Sequence, residues 1–402
     1  MQSITDRQAA TASTTSVLRV MNERAVFAET FRRGAVSRPE LAQYTGLSKP
    51  TVAVALTNLE RAGLLRQVGL RAGAAGRSAV LYEVRPEAGW VYAVDVGRSY
   101  VRVALADLVG RIVARQDSPS RSLRAKDLVA QLTSLADELA SAAGIRRDDI
   151  TLSVFGTPGI HDKATRALHL APNLPGWNRR GSVERLAGIA GRTYVVENDI
   201  DLAAVGEATY GLGRGVRHFV YVSVGTGTGM GIIIDGKLYR GFRGAAGEIG
   251  YLPVGEDDPL ADQPAARRRG LFESVASADG VVAMARRLGL PSVETAKDVF
   301  DAARAGDETA RRAVAREVDH LSHALAGITA VLDPELVVLG GGVGGQPGDL
   351  LTTPIAERLR DLVALRPPRI EVSKLGTDAV LLGALAVGLN DARDLVLQAA
   401  AG

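Results

Sequence analysis

The sequence predicts an α/β chain, a body built from one unit used twice with a small helical domain ahead of it. Three observations predict this. Residues 91–116 and 219–241 share a layout of three short apolar strands joined by tight turns, each followed by alternating helical and extended segments. Glycine clusters follow apolar strands in both halves. Residues 1–85 instead show helical periodicity and a basic excess, twelve Lys and Arg against six Asp and Glu, where the remainder carries 36 against 39.

With 402 residues, 46% of them hydrophobic, the chain can fill at least two cores. It has no cysteine, which excludes disulfides and thiolate metal sites and fits a reducing compartment. The first sixteen residues are polar, without the apolar run of a signal peptide, and no later run is long enough to span a bilayer. A soluble cytoplasmic protein with no membrane partner is expected.

The elements follow in order. Apolar residues at helical spacing from Ser16 to Arg33 (Val17, Val20, Met21, Ala25, Phe27, Ala28, Phe31) predict a first helix stopped by Gly34. Ser37, with Glu40 three residues on, forms a capping box for a short helix with Leu41 and Ala42 inward; Gly46 ends it, and Ser48 caps the next. That helix, 48–62, places Val52, Leu56 and Leu59 on one face and leaves Lys49, Thr51, Thr57 and Asn58 for solvent or a partner. A recognition helix needs this split, because its apolar stripe anchors it while its first polar turn reaches base edges. After Gly63 a hairpin carries Arg71 and Arg77 at a Gly-rich tip, as a wing does, and arginines there suit phosphates or a narrow minor groove. Helix, capped helix, glycine turn, capped helix and Arg-tipped hairpin, with a local charge of +6, predict a winged helix-turn-helix on double-stranded DNA, contacting it through Ser37, Arg38, Ser48, Lys49, Thr51 and Arg77. The alternative is a small helical domain that binds protein.

In the body, the first meander continues as helix 126–143, strand 150–155, helix 181–190, strand 193–197 and helix 200–210. The second continues as several helices between 273 and 332, strand 336–340, helix 350–362, strand 369–373 and helix 378–389. Two β-β-β-α-β-α-β-α lobes with a cleft between them describe a duplicated actin-like (ribonuclease-H-like) ATPase fold, and the domains are placed at 1–85, 86–212 and 213–402. The turns VDVG (94–97), VGTGTGMG (224–231) and LGGGVGG (339–345) each follow an apolar strand, so backbone N–H groups can approach a phosphate unhindered. Asp95, Gly97, Gly225, Thr226 and Gly227 are the phosphate-loop candidates; singly, each turn is also an ordinary hairpin.

With APNLPGW (171–177), VENDIDLAAVGE (196–207), VSVGTGTGMG (222–231), GAAGEIG (244–250) and LFESVAS (271–277) in view, the chain resembles the ROK family of repressors and sugar kinases, in its regulator branch. The resemblance covers about residues 16–390. It implies that Asp199 falls on the general base of the kinases, which withdraws a sugar hydroxyl's proton as that oxygen attacks the γ-phosphorus. It further implies a sugar site lined by Asn173, Asn198, Asp199, Glu248 and Glu273 with Gly159 against it, because hydroxyls need paired donors and acceptors. As a residue, Asp199 also suits the start of a helix.

Three departures matter. Tyr251 stands where the family has a histidine serving sugar and zinc, which puts Tyr251 in the ligand site. Segment 255–270 replaces the family's three-cysteine zinc segment and has neither cysteine nor histidine. Arg98 replaces the second glycine of the kinase pattern after the first strand. His320 and His323 share a helical face without a third ligand, so no metal site is expected. The reading is therefore a DNA-binding regulator, a repressor, sensing a sugar or sugar phosphate as a dimer or tetramer. The alternative is an ATP-dependent sugar kinase, using ATP and Mg²⁺, with an appended DNA-binding domain.

Overall fold

The computed structural model describes residues 4–72, 78–122, 124–171, 174–191, 193–255, 266–346 and 348–401. Helix α1 (Ile4–Arg33) leads into β1 (Val36–Ser37), α2 (Arg38–Thr45) and α3 (Lys49–Arg61), and the hairpin β2 (Leu65–Ala72) and β3 (Ser78–Val84) closes a three-stranded sheet in the order β1-β3-β2. Gly46, at φ 70°, takes the left-handed conformation that the tight turn between α2 and α3 requires. Ser48 caps α3 by accepting from the Thr51 N–H at 3.2 Å. Val26, Phe27, Leu41, Val52, Leu56 and Leu59 are the buried centre of this domain.

Helix α1 starts well before the expected Ser16, and its apolar face is only half used. Val17 and Met21, at 55% and 60% exposure, stand beyond the reach of α2 and α3.

The first lobe comprises β4 (Trp90–Val96), β5 (Tyr100–Asp107), β6 (Ile112–Pro119), α4 (Ala125–Ala142), β7 (Leu152–Thr157), a hairpin β8 (Ile160–Asp162) and β9 (Ala167–His169), β10 (Thr193–Asn198) and α5 (Asp199–Tyr210). The second comprises β11 (Phe219–Val224), β12 (Thr228–Ile234), β13 (Lys237–Leu238), α6 (Ala266–Arg269), α7 (Leu271–Ala276), α8 (Ala278–Arg287), α9 (Ala296–Arg304), α10 (Glu308–Leu332), β14 (Leu336–Gly340), α11 (Gly341–Gly344), α12 (Thr352–Leu362), β15 (Arg369–Val372) and α13 (Ala379–Ala401). The sheet orders β10-β7-β4-β5-β6 and β13-β12-β11-β14-β15 are the same order read from opposite edges, so the lobes share one topology. In both, the first strand runs antiparallel to the second and parallel to the fourth.

All of β4 is buried because both faces of its sheet are covered. Tyr92 and Val94 point toward Leu128, Leu132 and Leu135 of α4, while Val91 and Ala93 point the other way, toward Leu381, Leu385 and Leu389 of α13. Each fully buried leucine in such a layer contributes about 2 kcal/mol.

Two expectations change here. Residues 181–190 hold only a short 3₁₀ turn at Ser182–Leu186, because Gly181 and Gly188 adopt positive φ and interrupt the helix. The last helix, expected to end at 389 within the second lobe, runs to Ala401 and lies across the first lobe's sheet, with Gly388 against Val91 and Val154. The domain placed at 213–402 is thus amended at its end: α13 belongs to the first lobe's packing.

Candidate functional site

Two surfaces carry chemistry. On the winged domain, the exposed face of α3 presents Lys49, Pro50, Val54, Thr57 and Arg61, with Ser48 exposed at its start. Val54, 58% exposed, went unremarked in the sequence, although residues 50, 54, 57 and 61 share one helical face. Thr51 is half-buried, its hydroxyl 2.8 Å from that of Ser48. Arg38 is exposed at the start of α2.

Other residues expected on this surface are engaged within the domain. Ser37 is 4% exposed, and both its N–H and its hydroxyl donate to Glu40, at 2.9 and 2.6 Å, so it shapes the turn and cannot reach a duplex. Asn58 donates to Glu23 of α1 at 2.7 Å. Arg71 sits in strand β2, not at the tip, and donates to Glu40 at 2.7 Å and to the Ala35 carbonyl at 3.3 Å, which binds the wing to α2. Arg77 lies outside the described residues.

The second surface is the cleft between the lobes. Asn198 ends β10 and caps α5: its Oδ1 accepts from the Ile200 and Asp201 N–H groups at 2.9 and 3.1 Å, and its Nδ2 donates to the Gly159 carbonyl at 3.1 Å. That one side chain fixes the first turn of α5 against the 157–160 turn. Asp199 follows at the helix start, partly exposed, and its enclosed setting raises its carboxyl to about 6, the charge of Glu248 adding to the effect of burial. Glu248 is raised in turn by burial and then by Glu273. Tyr251 is raised by burial and then by Glu248 and Glu273. The charge of Glu248 thus reaches both Asp199 and Tyr251, and that of Glu273 reaches Glu248 and Tyr251. Asn173 lies outside the described residues, as does 256–265.

Glu273 is held more firmly than its sequence context foretold. Its Oε2 accepts from the Thr228 N–H at 3.0 Å and its Oε1 from Arg269 Nε at 2.9 Å. The same guanidinium donates to the Thr226 carbonyl at 2.9 Å and bonds Ser277 and Asp279 at 3.3 Å. Arg269 thereby ties the 225–228 turn to α7 and α8, with the free lone pairs of Glu273 as acceptors. Gly225, Thr226 and Gly227 form a turn closed by the Gly225 N–H to the Gly227 carbonyl at 2.9 Å, beside Gly341 and Gly342 of the third glycine cluster.

Lobe one's counterpart differs from its expected role. Asp95 is buried and accepts from Arg102 at 3.0 Å across the β4–β5 pair, and Arg102 also lies 3.5 Å from Asp117. The Gly97 N–H donates to the Tyr100 carbonyl at 3.0 Å, which closes the β4–β5 turn as a tight hairpin. Burial, and then the charge of Asp199, raises Asp95 to about 7 despite Arg102. Arg102 was missed in the sequence; its signal is the register that sets it opposite Asp95. Also missed were Asp201, buried behind Asp199 and raised by burial to about 8, and the Arg240–Glu197 ion pair beside it.

Among the described residues, no group of three His, Asp or Glu is arranged to hold a metal, and no helix is long and apolar enough to cross a membrane.

Comparisons with known proteins bear on both surfaces. The ROK family profile matches residues 91–390, and that of the IclR helix-turn-helix domain matches residues 27–69. A xylose repressor of Caldicellulosiruptor bescii is 27% identical over 94% of this chain and 97% of its own. A glucokinase of Halalkalibacterium halodurans is 32% identical, over 73% of this chain and 93% of its own. Among solved structures, a ROK family transcriptional regulator described as a homolog of the E. coli MLC protein superposes with a TM-score of 0.77 over 96% of this chain and 99% of its own at 22% identity. A Streptomyces griseus glucokinase in complex with glucose and AMPPNP gives 0.61 over 75% and 100% at 27% identity.

Proposed function

The chain belongs to the ROK family, and on that premise we propose a repressor whose interlobe cleft binds a sugar or sugar phosphate and thereby changes its grip on an operator. The chain is a DNA-binding transcriptional regulator, with an N-terminal helix-turn-helix and full-length similarity to xylose repressors. The observation that supports the effector reading is the set of carboxylates contributed by both lobes, Asp199, Glu248 and Glu273, with Asn198 holding the first turn of α5 in place beside them. Carboxylates accept two hydroxyl donors each, as a polyol requires. A ligand that touches both lobes favours their closed arrangement, and the free energy of that preference is what reaches the DNA.

On the DNA side, Lys49 and Arg38 meet phosphates, Ser48 and Thr51 bring hydroxyls to the groove wall, and Val54 lies against a base edge such as a thymine methyl. Two copies of the chain bind two half-sites, and the protein acts in the cytoplasm. The sequence offers no thiolate donor to a metal.

One experiment tests the reading. Melting of the purified protein is followed against D-xylose, D-glucose, N-acetylated hexosamines and their 6-phosphates, with and without duplex selected from a random pool. A stabilising sugar that also shifts duplex affinity is expected. No shift with any sugar ends the effector reading.

The kinase alternative retains one favourable observation, a carboxyl at Asp199 raised to about 6 and so suited to general-base work. The Asp95–Arg102 pair weighs against it, because the carboxylate expected at the phosphate is already engaged. ADP release above an Asp199→Ala control would restore it.

A further inference from the structure

Helix α13 begins where the chain leaves lobe two and ends at the DNA-binding domain. At its start, Ser373 follows the last strand of lobe two and donates its hydroxyl to Glu207 of α5, a fully buried residue. Five residues on, Asp378 accepts two hydrogen bonds, at 2.9 and 2.7 Å, from Arg115 of lobe one. The chain thus leaves lobe two through a short segment, 373–378, pinned to lobe one at both ends.

Beyond it, α13 and α5 touch backbone to backbone. A Cβ on Gly383 would collide with the Leu202 carbonyl oxygen, and one on Gly206 with that of Ala379. Two helices in such contact have no side-chain layer to absorb a displacement. The first turn of α5 is the cleft, through Asn198 and Asp199.

At its far end α13 meets α1. The Arg393 guanidinium stacks on the Phe31 ring of α1, 3.5 Å from its centroid, while its Nε donates to the Leu108 carbonyl of lobe one at 3.3 Å. One residue later, Asp394 lies 3.7 Å from Arg24 of α1. Val26 and Phe27 of α1 and Leu389, Ala392 and Leu397 of α13 belong to one continuous apolar cluster with the first lobe.

We propose that α13 is the transmission rod between cleft and DNA, and that Arg393, clasped between Phe31 and Leu108, is the joint through which the winged helix follows the cleft's state. The inference deepens the ligand-responsive reading above, but its test needs no sugar, because coupling is reciprocal: if the cleft biases the DNA domain, DNA biases the cleft.

Hydrogen exchange of the full-length protein is measured with and without a duplex that the protein has selected from a random-sequence pool. In the wild type, duplex should change exchange in α3 and also at 199–203 and 225–228. In Arg393→Ala, α3 should still respond, with duplex affinity within about threefold of wild type, while the response at 199–203 and 225–228 falls to about a third or less. Arg393→Lys, which keeps the charge and loses the planar stacking face, should fall between. A cleft response that survives in Arg393→Ala, or that is missing from the wild type, overturns the proposal. Should Arg393→Ala fail to fold, Phe31→Leu decides by the same criterion, and an Arg393→Lys cleft response equal to that of wild type overturns the proposal. A cleft that answers DNA but binds none of the sugars leaves α13's role standing and ends the sugar reading alone.

Discussion

In the first lobe Asp95 stands opposite Arg102; at the same place in the same hairpin of the second lobe, Ser223 stands opposite Gly229. Each pair is flanked on its parallel side by a glycine, Gly156 or Gly340. The backbones are equivalent and the contents are not: one hairpin is stapled by a buried ion pair, while the other leaves its space to small groups and its turn to Arg269 and Glu273. A duplicated fold therefore need not keep a duplicated chemistry. Lobe one carries α13 and the winged helix beside the Asn198–Asp199 turn, and lobe two holds the turn ordered by Arg269 and Glu273.

The sharpest break of this contrast is Arg102→Ala. Removing the partner of a buried carboxylate should cost about 3 kcal/mol of stability, more at pH 8.5 than at pH 5, since Asp95 needs no partner once protonated; the Ser223→Ala control should stay within about 1 kcal/mol. Urea unfolding at both pH values measures it, and equal costs for the two variants would erase the distinction between the lobes.

Next in size, Asp199→Asn should weaken any sugar found in the melting screen by about 10–100-fold, the loss of one hydrogen bond to a charged acceptor. Titration calorimetry reads this directly, and unchanged affinity would remove Asp199 from the site.

Asp201→Asn probes the carboxyl behind it. Burial raises Asp201 to about 8, so the folded state binds this proton more tightly than the unfolded chain. The resulting stability is complete below the ordinary carboxyl range, near pH 4, and is lost as pH rises through about 8. The variant should melt roughly 2–4 °C above wild type at pH 8.5 and show no gain at pH 4. A gain at low pH instead would reverse the assignment. Smallest of all, Lys49→Ala should lower the slope of log affinity against log salt by about one, with the cleft untouched; an unaltered slope would remove this contact.

Much of the architecture was legible because its causes are local. Apolar periodicity marked the strands of both meanders, and Ser48 announced α3 because a serine before a helix satisfies an exposed amide. The same locality explains the misses. Ser37 was legible as the capping-box partner of Glu40, but its burial was not, so it also read as a contact to DNA although both its N–H and its hydroxyl are spent on Glu40. Asp95 read as a phosphate-loop acid because its partner, seven residues on, is revealed only by the register of the hairpin. Residues 181–190 read as a helix although positive φ at Gly181 and Gly188 breaks it.

By itself the sequence determined the winged helix and the repeated lobe, since these depend on residue type and short spacing, while Asn198, Asp199, Glu248 and Glu273 were named by family resemblance. Tertiary structure alone decided which carboxylates share a cleft, which arginines neutralise which acids, and that the final helix crosses from the second lobe to the first to meet α1. Those outcomes are long-range: side chains dozens to hundreds of residues apart, such as Arg115 and Asp378 or Phe31 and Arg393, meet only after both sheets have formed, and no local pattern records the encounter.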